Sequence, residues 1–314
     1  MKYIKFIVFT ILLSLVLFEV VVLGIICFPK DVYHSSYQSV IQDKFRLLKE
    51  TNEPKIIIVA GSSSAYGLEQ NMLEEATGYK VVNLGLHAGF GHLITSELSK
   101  VNINPGDIVL LGYEYGWQYE DGFDSLRPDL IYSGFDSHLE MYKYIPIRKW
   151  DDMLSYLFKH ADNKNHFLPA EGMYSRNAFD SENFQYVIER NEALNYNREV
   201  QGEEKMEGFS QISDFSIKYL KEYKRYVESR GAEVFFIAPP LLADAVVGDS
   251  GELEALKNNE EKQIGIKYIS NPMNYLFSAD MMFDTIYHCN SAGEIYRTKL
   301  LIDELMNADI GDKS

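Results

Sequence analysis

Past an opening run that is apolar at almost every position, the chain alternates short, solid apolar runs with longer stretches of spaced apolar residues. The solid runs are Lys55–Ala60, Lys80–Leu84, Ile108–Tyr113 and Glu233–Ala238. Glycine or proline closes most of them: Gly61, Gly85 and the pair Pro239-Pro240. Short runs of this kind read as strands covered on both faces. Between them, residues 68–76, 92–101, 214–230, 252–264 and 291–306 space their apolar positions as helices do. Gly78 and Gly231 supply helix stops, Pro105-Gly106-Asp107 a turn, and Ser291-Ala-Gly-Glu294 a capping box for the last helix. Strands alternating with helices predict an α/β domain: a parallel, flavodoxin-like sheet between two helical layers.

The regular order breaks at 115–208, an aromatic-rich insertion in which helices are expected around 136–160 and 182–196. Its rings can pack a lid or stack on sugar rings and acyl chains. Residues 29–54 form a polar connector with helix at 39–50, so the globular domain runs over 55–314.

Residues 6–28 are long and apolar enough to cross a bilayer, which needs about 20 residues. Ile25-Ile-Cys-Phe28 offers no small-residue cleavage site, which favours a retained anchor over a signal peptide. Lys2 and Lys5 precede the run, so the positive-inside rule puts the domain on the extracytoplasmic side. Glu19 inside the span faces a partner, or is a protonated carboxyl in a lone helix.

The net charge of −16 argues against nucleic acid as a partner. The two cysteines do not make a disulfide framework, no phosphate-binding loop is present, and His87 and His92 lack the companions of a metal site. No cofactor is expected.

The chemistry concentrates at two places. Gly61-Ser-Ser63-Ser follows the first strand, where the carboxyl ends of a parallel sheet open into a cleft. Asp284-Thr-Ile-Tyr-His288 precedes the last helix. Each is ordinary alone, the serines as a turn and cap, the Asp and His as a loop. Together they supply a nucleophile, a base and an orienting carboxylate. Gly248-Asp249-Ser250 competes as a motif but follows no strand directly.

This order resembles the SGNH/GDSL hydrolases, over residues 55–114 and 214–306. Gly61-Ser62-Ser63 looks like the first block, with serine in place of its aspartate, as in membrane-anchored relatives such as the D-alanine transfer protein of the teichoic-acid pathway. Asn83-Leu-Gly85-Leu-His-Ala-Gly89 resembles the second block and implies an oxyanion amide at Gly89 or Gly85. The third block departs: Glu114 stands where the family has an oxyanion-binding asparagine. The last block is one residue longer than Asp-x-x-His, and its surroundings, with Thr298 beyond, are similar to a branch acting on envelope polysaccharides. The resemblance implies a serine esterase or O-acyltransferase with Ser63, His288 and Asp284 as its triad. Its substrate would be an acyl ester or glycan, and a multi-pass membrane protein would supply the acyl group. The competing expectation is a non-catalytic protein of the same fold that binds a glycan or a membrane partner.

Overall fold

The computed structural model describes residues 2–197, 202–206 and 211–310. Five strands form one parallel sheet: β1 (Lys55–Ala60), β2 (Lys80–Asn83), β3 (Ile108–Gly112), β4 (Glu233–Phe236) and β5 (Lys267–Tyr268), in the order β2-β1-β3-β4-β5. Ile58 of β1 lies in register with Asn83 on one side and Leu110 on the other. Every residue of β1 and β3 is buried, because helices cover both faces.

Alternation along the strands divides the core. Ile57, Val59, Val109 and Leu111 point to one face and pack on α2 (Val40–Glu50), α4 (His92–Ser99) and α7 (Asp214–Ser229) through Leu48, Leu93 and Leu220. Ile56, Ile58 and Leu110 point to the other and meet α3 (Gln70–Thr77) and α9 (Ser291–Asn307) through Leu73, Leu301 and Leu305. The domain is thus the expected three-layer α/β/α arrangement. At the sheet's amino edge, the fully buried Lys55 and Asp107 pair at 2.7 Å.

The chain opens with α1, Lys2–Cys27, whose apolar side chains stand largely exposed. It is long and apolar enough to span a membrane.

The insertion differs from its expected outline. Its longer helices are α5 (Pro128–Phe135) and α6 (Trp150–His166), with short helical turns at Glu120–Asp124 and Leu139–Tyr142. No helix covers 182–196: Phe179 bridges Tyr186, and residues 187–197 take no regular secondary structure. The Asp180 carboxylate collects the amides of Glu182, Asn183 and Phe184, a local turn that competes with a helix start. Residues 198–201 and 207–208 of the predicted insertion lie outside the described residues. The cap of α9 is also corrected. Asn290, not Ser291, accepts the Gly293 amide, and Glu294 turns away to meet Arg190. The helix Glu252–Ile264, α8, forms as expected. Asp249 accepts the Gly251 amide in the turn before it, so Gly248-Asp249-Ser250 is turn chemistry.

Candidate active site

A cavity of about 760 Å³ opens beyond the carboxyl ends of β1 and β3. Its wall brings together Ser62, Glu114, His288 and two further imidazoles, His87 and His92. Aromatic rings make up much of the rest, among them Tyr66, Trp117 and Tyr174. No lysine or arginine lines it among the described residues.

The Asp–His pair predicted from sequence forms. Asp284 Oδ1 lies 2.7 Å from His288 Nδ1, which fixes the proton there and leaves Nε2 as the proton-accepting atom. The His288 ring stacks on Tyr66, centroids 4.3 Å apart and planes 12° from parallel. The second carboxylate oxygen, Oδ2, accepts the Tyr174 hydroxyl at 2.5 Å. Burial works against the charged carboxylate, but these partners outweigh it and hold Asp284 below the ordinary aspartate range. A depressed acid contributes stability above its unfolded value, near 3.9, and loses it as the pH falls through the folded value. Tyr174→Phe is therefore expected to lower stability by about 1 kcal/mol at pH 7. The deficit should vanish once the pH falls below the carboxyl's folded titration, as thermal melts taken stepwise from pH 7 down through that titration would show. An equal deficit across that range would mean that the Tyr174 hydroxyl does not act through the charged carboxylate.

The serine turn differs from expectation. A single helical turn, Ser62–Ala65, starts directly after Gly61. Residues 62 and 66 therefore share a face, and both line the cavity. Ser63 is not among the lining residues: it is fully buried and its hydroxyl has no hydrogen-bond partner. The hydroxyl available to the cavity is that of Ser62, one residue before the predicted nucleophile. Ser63 contributes through its backbone instead. Its carbonyl accepts Arg297 Nη1 at 2.7 Å, and its amide donates to Glu114 Oε1 at 2.9 Å.

Glu114 thus reaches the site. Its Oε2 has no hydrogen-bond partner and lies 3.8 Å from His92 Nε2. Glycine at 61 permits this approach, since a β-carbon there would stand 2.4 Å from Oε2. Burial lowers the basicity of His92, against the pull of Glu114. Burial, with Arg127 and His288 nearby, lowers that of His87 as well. In both, burial outweighs the carboxylates nearby.

The second sequence block is structural in this arrangement. The Gly85 amide donates to Asn83 Oδ1 and the Gly89 amide to His87 Nδ1, each at 2.9 Å, so neither predicted oxyanion amide is free. Asn83 is buried and clamps the serine turn: its Nδ2 donates to the Ser64 carbonyl, and its Oδ1 accepts the Ser64 hydroxyl. A β-carbon on Gly85 would fall 1.8 Å from Ser64 Oγ, so glycine there sets how closely the two loops meet. Thr298 is structural too, accepting the Glu69 amide.

Sequence reasoning missed the places of Tyr66, Tyr174, His87 and Arg190 in the site. Arg190 crosses from the insertion beneath it. It donates to the Tyr66, Ile188 and Cys289 carbonyls and pairs with Glu294 at 2.6 Å. The aromatic density of 115–208 was the signal for Tyr174; no local pattern marks the others.

No family model matches the sequence, and no curated protein does. Among solved structures the chain is similar to protein YxiM from Bacillus subtilis, with 13% identity and a TM-score of 0.38. The match covers 83% of this chain and 58% of that one, so the chain spans little more than half that protein's length. At this distance the likeness carries no argument about the site.

Proposed function

We propose that this cavity is the acyl-transfer site of a membrane-anchored, SGNH-like serine esterase or O-acyltransferase acting on acyl esters of cell-envelope glycans. The observation that carries the reading is the Asp284–His288 pair, whose imidazole lines the same cavity as Ser62 at the sheet's carboxyl edge. The Ser62 hydroxyl attacks the ester carbonyl as His288 Nε2 takes its proton. Asp284 holds the ring and balances the imidazolium. The alkoxide leaves with that proton, and a glycan hydroxyl or water then resolves the acyl-enzyme by the reverse route. The lining holds a carboxylate and no fixed cation among the described residues, which favours a neutral acyl group over an anionic one. Lys2 and Lys5 at the start of α1 favour an extracytoplasmic domain, where envelope glycans are found. A multi-pass membrane protein is the natural acyl donor for such a tethered enzyme.

One observation favours a second reading, a binding protein of the same fold. The Ser63 amide, the backbone donor beside Ser62, already serves Glu114. A tetrahedral oxyanion has to take that hydrogen bond from the carboxylate. Fluorophosphonate treatment of the full-length protein, with mass-spectrometric mapping, separates the readings. We expect label on Ser62 that disappears in Ser62→Ala and in His288→Ala. Label on Ser63 would return the nucleophile to the position expected from sequence, with its side chain turned out of the interior. No label, where a control esterase reacts, would leave the binding protein.

A further inference from the structure

The first helix is not a free tether. It has 26 residues, about 39 Å of helix against about 30 Å of hydrocarbon. Its last turns lie within the domain: Ile26 is buried, and Val22, Ile25 and Cys27 pack on a cluster built largely from the insertion. Lys164 of α6 fastens the end. Its Nζ donates to the Ile26 carbonyl at 2.8 Å and the Pro29 carbonyl at 3.0 Å, and pairs with Asp136 at 2.9 Å. All three partners occupy helix-end or loop positions, so the lysine caps the anchor and joins it to the insertion.

The lengths then constrain where the bilayer ends. About 20 residues counted from Phe6, the first residue past Lys5, reach Ile25. Packing against the domain already begins at Val22. The insertion therefore holds turns of α1 that lie at the hydrocarbon edge, and its surface around the anchor meets lipid. The segments fastened to the end of α1 carry large apolar side chains open to solvent: Phe28 at 66%, Phe158 at 75% and Leu168 at 81% exposure. Phe158 stands on α6, the helix that supplies Lys164. Leu168 follows Phe167, whose ring meets Tyr33 in the connector, and the Ala170 amide donates to Ser35 Oγ. Scattered exposed apolar residues need no explanation, but three on segments fastened to a membrane helix do.

We infer that the insertion face around the end of α1, marked by Phe28, Phe158 and Leu168, is seated in the lipid interface, holding the domain flush on the bilayer. The occupant is lipid because these side chains stand on segments tied to the last turns of the helix that crosses it. The inference rests on α1 spanning the membrane and is independent of the acyl chemistry.

The test uses the full-length chain with Cys27→Ala in phosphatidylcholine vesicles. Cys289 can stay: it is fully buried, and burial pushes its thiol up to about 12, out of reach of a maleimide at neutral pH. Bimane is attached in the Phe158→Cys, Leu168→Cys and Arg225→Cys variants. Arg225 lies near the end of α7 that leads into β4, at the sheet edge opposite the cavity. Nitroxide lipids labelled near the headgroup are expected to quench positions 158 and 168 at least threefold more than position 225. Equal quenching at all three positions, in a chain that floats with the vesicles, would overturn the inference and leave the anchor reading intact. A chain that does not float would overturn both. Blue-shifted but unquenched bimane at 158 and 168 would mean that a second copy covers the face, and would overturn it as well.

Discussion

Alanine at His288 is expected to reduce turnover of a small aryl ester by on the order of 10⁶-fold, with the fold retained. In the proposed reaction the imidazole is the base. Asp284 holds Nδ1, and Tyr66 stacks on the ring and limits its rotation, so Nε2 stays aimed at the cavity. His87 and His92 share the cavity but cannot substitute. Burial lowers the basicity of both, and Nδ1 of His87 is already occupied by the Gly89 amide. The stability cost should be near 1 kcal/mol, the scale of one lost ring stack. Rate and melting temperature measured on the same preparation separate chemistry from folding. Turnover within tenfold of the parent protein would remove His288 from the mechanism.

Alanine at Arg190 is expected to act in the opposite way, through the fold. Its guanidinium is buried, carries hydrogen bonds to three carbonyls, pairs with Glu294 and lies over the rings of Tyr66 and Tyr186. Removing one partner of such a pair costs about 3–5 kcal/mol, because the other charge is left in the interior. Burial already raises Glu294 to about 7 against the pull of Arg190. Without the arginine that carboxyl rises further. A raised acid destabilises the fold above its unfolded value and recovers as it protonates. The Arg190→Ala deficit should therefore be larger at pH 8 than at pH 5, which chemical denaturation at the two values would show. A loss below 1 kcal/mol, or one that does not change with pH, would contradict this account. The same variant should loosen Tyr66 and so the His288 ring, and its turnover should fall even where it remains folded.

The two predictions draw on information of different kinds. Asp284 and His288 are four positions apart, and a short loop before a helix joins them without help from the rest of the chain. Their pairing was readable in one dimension. Arg190 and Glu294 are 104 positions apart, and nothing in the composition around either identifies the other. The serine turn falls between these cases. That a hydroxyl would stand at the end of β1 follows from a buried apolar run broken by Gly61. Which hydroxyl faces the cavity depends on where the helical turn begins. One residue of phase, about 100° of rotation, exchanges Ser62 for Ser63. The oxyanion amides failed as predictions for a related reason. Gly85 and Gly89 stand at plausible positions in the chain, but a neighbouring side chain accepts each N–H.

By itself, then, the sequence determined the elements whose signals are local. These are the apolar span of α1, four of the five sheet strands, the flanking helices and the parallel three-layer order they imply. Periodicity and turn residues encode such features within a dozen or so positions. Only the tertiary structure decided the fifth strand, Lys267–Tyr268, which is too short to carry a pattern and forms because β4 offers it an edge. It also decided the clasp of Lys164 on the anchor, the turning of Glu114 onto the Ser63 amide and the closure of Tyr174 on Asp284. Each is a contact between groups far apart in sequence, chosen by packing and by the need to satisfy buried polar groups, and neither constraint leaves a periodic mark.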